Sequence, residues 1–149
     1  MSLIVRDHQR LHIGLRLELV SPEGRWLVPS TDLPDGDPAQ DLFLVHDDHF
    51  LLSHRVRGLL TKSAHVEYPH SRTRRLISNV LPFLVDDGLV GVTANFAVYR
   101  TKNQVTHCYV GSYRHLLERA GERGFRFVER KTVLDLNALR PHGKLSFIL

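Results

Sequence analysis

Cysteine occurs once in these 149 residues, at position 108. A single thiol excludes a disulfide within the chain and any zinc or iron–sulfur site built on several cysteines. Long apolar runs are missing too, and none approaches the roughly 20 residues that span a bilayer. The opening stretch, MSLIVRDHQRLHIGLRLELV, is charged throughout and lacks the unbroken apolar core of a signal peptide, so a cytoplasmic location is expected. There is no GxSxG elbow, no P-loop and no GxGxxG fingerprint. Strong charge of one sign is also absent. The formal charge is only +4, with acids interspersed among bases. A nucleic-acid binder concentrates its charge on one face, so neither nucleic acid nor membrane is expected as a partner.

What is present reads as an ordinary globular chain. It is 42% hydrophobic and 24% charged, and its length suits one domain over residues 1–149. No internal repeats or low-complexity tracts interrupt it. Leu11, Leu15 and Leu19 recur every four residues and predict an N-terminal helix. Pro22 and Gly24 mark a turn before a short strand at Trp26–Val28. Residues 30–41, STDLPDGDPAQD, form the longest loop. Asp47 or Asp48 can cap a helix whose apolar stripe is Leu52, Val56, Leu59 and Leu60.

From residue 65 the period changes to two. LISNVLPFLV (76–85) reads as a strand, with Pro82 pointing to an edge position or a bulge. DDG at 86–88 is a hairpin turn. In LVGVTANFAVYR (89–100), Val90, Val92, Ala94, Phe96 and Val98 share one face, and Thr93, Asn95 and Tyr99 the other. TKNQ (101–104) turns into a strand over 105–117, and GERG (121–124) into another over 125–136. The apolar LSFIL end predicts a packed C-terminus. Helices followed by a meander of long strands indicate an α+β domain with a curved antiparallel sheet on N-terminal helices.

The densest basic spot is SRTRR, just ahead of the strand at 76. In extended chain Ser71, Thr73 and Arg75 face one way, and Arg72 and Arg74 the other. A phosphate cradle wants converging amides or a helix N-terminus, which this segment lacks. Guanidinium forks suit carboxylates, either on this chain (Glu67, Asp86, Asp87) or on a neighbouring subunit. Arg72, Arg74 and Arg75 are therefore candidates both for anchoring the sheet and for a subunit contact.

Three chemistries compete. HDDH at 46–49 has the residue types of a two-histidine, one-carboxylate iron site, but the same run serves as a helix cap with exposed histidines, and no metal is expected there. Asn95, Tyr99, His107 and Tyr109 could line an interior pocket for acid–base work; the plainer alternative has Tyr99 and Tyr109 packed against the helix and His107 either at the surface or hydrogen-bonded in the core. Cys108, in mid-strand, reads as an unreactive and largely buried thiol. Arg130 and Asp135, in ERKTVLD, read as strand residues held within the sheet or on its outer face. No residue is assigned as catalytic.

The ordered series SPEGRWLVP, DDHFLLSHRVRGLLTKSAHVEYPHSRTRR, SRTRRLISNV, ANFAVYRTK, VGSYRHLLER, GFRFVERKTVLD and LSFIL resembles the small (beta) subunit of aromatic-ring-hydroxylating dioxygenases. The likeness runs from about residue 20 to the end, although the segment ahead of GRWLVP is shorter than the family usually carries. The resemblance implies a cone-shaped fold like nuclear transport factor 2, cystatin-like and shared with SnoaL-like proteins. It implies a non-catalytic subunit without cofactor, beside a large (alpha) subunit that carries a Rieske [2Fe-2S] cluster and a mononuclear iron. A homotrimer of small subunits within a hetero-hexamer follows from it, with the meander's outer face and the C-terminus, Lys144 and Phe147 included, as the homotypic contact. The alternatives are a stand-alone enzyme of the same fold, an isomerase, dehydratase or cyclase with an internal pocket, and an orphan binding scaffold.

Overall fold

The computed structural model describes residues 17–60, 71–122, 124–139 and 145. After a 3₁₀ turn at Leu17–Leu19 come β1 (Val20–Pro29), β2 (Phe43–Asp48), α1 (His49–Leu60), β3 (Arg72–Leu84), a second 3₁₀ turn at Asp86–Gly88, β4 (Val90–Lys102), β5 (Val105–Ala120) and β6 (Gly124–Leu134). The strands form one curved, open, six-stranded sheet in the order β2-β1-β6-β5-β4-β3. The expected α+β architecture is what the chain adopts.

Two features depart from the sequence reading. The sheet is mixed rather than wholly antiparallel, because β1 runs parallel to β6. A parallel pair needs a long crossover, and the whole of β2 to β5 supplies it. The chain at Leu19 is a 3₁₀ turn leading straight into β1, and Leu11 and Leu15 lie outside the described residues. β1 is also much longer than Trp26–Val28. Pro22 and Gly24 stay within it because the register with β6 shifts between Val20 and Arg25. A side chain at Gly24 would meet the Phe127 carbonyl oxygen at 2.8 Å, which explains glycine at that close approach.

β2 is a strand that the sequence reading did not anticipate. It ends where the helix was expected to begin. Asp48 caps α1, its Oδ1 accepting the Leu51 N–H at 2.8 Å. Leu52 from α1 enters the core, with Val56 and Leu59 packed against it. The helix lies on β1 and β2.

The β4–β5 hairpin closes through Asn103 and Gln104, both at positive φ (49° and 64°), the conformation a right-twisted two-residue hairpin demands. β4 alternates as expected: Ala94, Phe96 and Val98 are buried while Asn95 and Tyr99 are exposed. β3 is a sheet edge, where Pro82 was expected, and it carries a bulge between Ser78 and Leu81 with Asn79 at φ 50°.

Candidate functional site

Cross-strand register fixes which side chains share the inner, helix-facing side of the sheet. One inner row reads Val92, His115, Arg130, Trp26, Asp47. The next reads Ala94, Tyr113, Thr132. The rows beyond are Phe96, Gly111, Leu134, and then Arg75, Val98, Tyr109. Tyr109, Val98 and Thr132 have no exposed surface, and Tyr113 almost none. The middle of the inner face is filled with side chains.

Arg130 is the centre of this arrangement. Its guanidinium carbon stands 4.4 Å from the centre of the Trp26 ring, 4.5 Å from Tyr113 and 5.7 Å from Phe127. Such faces hold a cation that has lost its water. Burial pushes the Arg130 pKa down to about 10, while Tyr113 opposes the shift and nearby Arg75 adds to it. His115 stacks on Tyr113 at 5.1 Å and meets Phe127 edge-on at 5.0 Å. Burial, then the Arg130 charge, push the His115 pKa down to about 3. A histidine so placed is neutral and a poor base near pH 7, where a general base needs a pKa close to neutrality.

The carboxylate of the same row, Asp47, is committed elsewhere. Arg55 donates to both of its oxygens, at 2.5 and 2.9 Å. The residues of HDDH therefore part company. Asp47 turns inward to Arg55, Asp48 caps α1, and His46 is exposed. Strand alternation separates the donors a metal would need on one side.

The four pocket candidates do not come together. Tyr109 is paired with Val98, and His107 with Arg100, so both lie on the inner face. Asn95 and Tyr99 belong to the opposite, exposed face. Alternation along β4 fixes the side of Asn95 and Tyr99, and the pairing with β5 fixes the side of His107 and Tyr109. Arg130, expected within the sheet or on its outer face, is half-buried on the inner one. The sequence reading missed the His115–Arg130–Trp26 group. The available signal was parity, since Tyr109, Tyr113 and His115 share one face of a strand.

The arginines of SRTRR splay as expected. Arg72 and Arg74 are exposed and face outward. Thr73 and Arg75 face inward, and Arg75 Nη1 donates to Thr73 Oγ1 at 3.3 Å. Buried Arg100, in the same row as Thr73, donates to Ser71 Oγ at 3.2 Å. Glu67, Lys144 and Phe147 lie outside the described residues. Cys108 is half-buried on the outer face, in a row with Arg74 and Tyr99. The loop at 30–41 lies against that face, where Arg114 donates to Asp35 Oδ1 at 2.6 Å and Thr31 to the Asn137 carbonyl at 3.2 Å.

No group of three or more metal-ligating side chains occurs among the described residues, and none of their helices is long and apolar enough to cross a membrane.

Comparison with known proteins places this geometry. The family model described as ring hydroxylating beta subunit matches residues 17–141. The small oxygenase component of the p-cumate 2,3-dioxygenase system of Pseudomonas putida is 42% identical over 139 residues, 93% of this chain and 77% of that protein. Benzene 1,2-dioxygenase subunit beta of Pseudomonas putida is 31% identical over 104 residues, 68% of this chain and 55% of that protein. Among solved structures, naphthalene 1,2-dioxygenase with bound indole superposes with a TM-score of 0.75 at 19% identity, over 89% of this chain and 73% of that one. An NTF2-like protein with a cystatin-like fold from Novosphingobium aromaticivorans gives 0.52 at 14%, over 88% and 74%. These likenesses in structure speak to the fold, which is NTF2-like.

Proposed function

Because the chain belongs to the family of ring-hydroxylating dioxygenase beta subunits, we propose that it is the structural small subunit of a Rieske non-haem iron oxygenase acting on an aromatic ring. Its work is to hold and stabilise a large subunit, in the cytoplasm, as one domain over its whole length. The Rieske cluster and the mononuclear iron belong to that large subunit. A Rieske centre takes two cysteines and two histidines, and this chain has one cysteine. Three copies associate and join three large subunits in a hetero-hexamer.

The observation that carries the reading is the long match to the small oxygenase component. The inner face supports it. His115 is held neutral, Arg130 is clasped between aromatic rings, and Asp47 is spent on Arg55. That is packing chemistry, and it leaves little to favour a stand-alone isomerase, dehydratase or cyclase.

The test is turnover per iron in the assembled oxygenase. His107→Ala and Tyr109→Phe are expected to leave it within about twofold of wild type, since neither touches the reacting atoms. A loss of a hundredfold with assembly intact would assign this chain a catalytic residue and overturn the reading.

A further inference from the structure

Aspartate precedes glycine twice in this chain, at Asp35–Gly36 and at Asp87–Gly88. An aspartyl carboxyl can be attacked by the main-chain nitrogen of the next residue. Glycine, with no Cβ, hinders that attack least and lets the chain rotate into it. The fold treats the two pairs differently.

Asp35 is held. Its Oδ1 accepts from Arg114 of β5 at 2.6 Å. That hydrogen bond and the Arg114 charge keep the Asp35 carboxyl below the usual carboxylate range, in the ionised form that is the poorer electrophile. Gly36 is buried, and a Cβ there would lie 3.2 Å from Asp41 Oδ2 and 3.2 Å from the Leu33 carbonyl oxygen. The Asp37 N–H closes the loop beside it, donating to Asp41 Oδ2 at 2.6 Å. The rotation that ring closure needs has no room.

Asp87 stands in the open. Asp86, Asp87 and Gly88 are exposed in the turn between β3 and β4, and nothing lies within 4 Å of a Cβ at Gly88. No ion pair holds the Asp87 carboxylate among the described residues.

We propose that Asp87–Gly88 is a site of spontaneous covalent modification, at which the main chain is rerouted through the Asp87 side chain to give isoaspartate, while the fold protects Asp35–Gly36. The Gly88 nitrogen attacks Asp87 Cγ, and the carboxyl hydroxyl leaves with the amide proton as water, closing a cyclic imide. Water then opens the ring at either carbonyl. Opening at the Asp87 main-chain carbonyl leaves Gly88 joined to Cγ. Water leaves and enters in equal number, and no oxidant, reductant or partner subunit is needed. The product carries an extra main-chain carbon in a turn that the Val85 N–H closes on the Leu89 carbonyl at 3.0 Å. The change therefore falls where edge strand β3 is tied to β4.

Peptide mapping tests it. The folded chain is held for weeks at neutral pH and physiological temperature, then digested with trypsin, which places the two sites on separate fragments, 26–55 and 76–100. Isoaspartate is located on each by tandem mass spectrometry and measured by enzymatic methylation of its free α-carboxyl. Asp87 is expected to gain at least about tenfold more of it than Asp35, a ratio set by the local opening that Asp35 needs and Asp87 does not. In urea the two sites are expected to gain it at similar rates, because the protection of Asp35 belongs to the fold. Arg114→Ala is expected to raise the gain at Asp35 severalfold. Asp87→Asn, with a residue suited to the φ of 66° there, is expected to lose ammonia through the same imide, faster than Asp87 loses water.

Equal gain at the two sites of the folded chain would overturn the protection of Asp35. Gain on fragment 76–100 that maps to Asp86 would overturn the assignment to Asp87. An unmodified Asp87, with the Asp87→Asn variant equally intact, would show that the turn holds the Gly88 nitrogen away from Cγ and would overturn the proposal outright.

Discussion

The Arg130 guanidinium carbon stands 4.4 Å from the centre of the Trp26 ring, across the parallel β1–β6 pair that joins segments about a hundred residues apart in sequence. The contact needs a flat cation. Lysine keeps the charge but cannot stack. Arg130→Lys is expected to cost about 1–2 kcal/mol of stability, read from urea unfolding monitored by the fluorescence of Trp26. An unchanged midpoint would show that the stacking contributes nothing.

His115 makes stability depend on pH. Its folded pKa is about 3, well below the ordinary 6.5. Between those values the unfolded chain binds a proton that the folded chain does not, so stability falls as pH falls from about 6.5 toward 3. One such proton gives a limiting slope of about 1.4 kcal/mol per pH unit. The groups facing the imidazole are Tyr113, Phe127 and Arg130. His115→Gln is expected to flatten the curve between pH 6.5 and 5, above the range in which carboxylates dominate. A curve as steep as that of wild type would remove His115 from the account.

Asp47 and Asp48 are neighbours with different tasks. Asp48→Ala removes the cap on α1 and is expected to cost about 1 kcal/mol, and Asp48→Ser to recover most of it. Asp47→Ala leaves Arg55 without its carboxylate and empties a buried position, and should cost more than the cap does. Equal losses in thermal unfolding would contradict the division.

Gly111 has no room for a side chain. A Cβ there would come within 2.0 Å of the Val133 carbonyl oxygen and 3.0 Å of the Phe96 ring. The obstacle is backbone, so the sheet itself would have to move. Gly111→Ala is expected to cost more than about 2 kcal/mol or to prevent folding. Gly58→Ala, where nothing lies within 4 Å of the added carbon, is the control and should stabilise α1 slightly.

Much of the meander was legible in the sequence because its signals are local. Ala94, Phe96 and Val98 against Asn95 and Tyr99 is a period of two, Asn103–Gln104 is a turn, and Pro82 marks an edge. β2 was hidden because FLVHDD runs straight into a helix cap, and the cap was the stronger signal. The β1–β6 pairing was hidden because it joins distant segments, and no local pattern reports a partner that far away. The same reason explains the candidate site. Alternation along β4 already set Tyr99 apart from Phe96 and Val98, but which residues of β5 share the buried side follows only from the Val98–Tyr109 pairing, so Tyr99 and Tyr109 part. The splay of Arg72 and Arg74 against Arg75 followed from alternation alone and needed no knowledge of partners.

A chain that supports a large subunit and carries no iron of its own should be inseparable from that subunit in its iron content. The most direct measurement is co-expression of the tagged chain with the large oxygenase subunit, followed by native mass, subunit ratio and iron content of what the tag retains. The account expects one complex with equal amounts of the two chains, a mass near three of each, and all the iron lost when the large subunit is omitted. A tagged chain that comes through alone, or that retains stoichiometric iron without the large subunit, would contradict it.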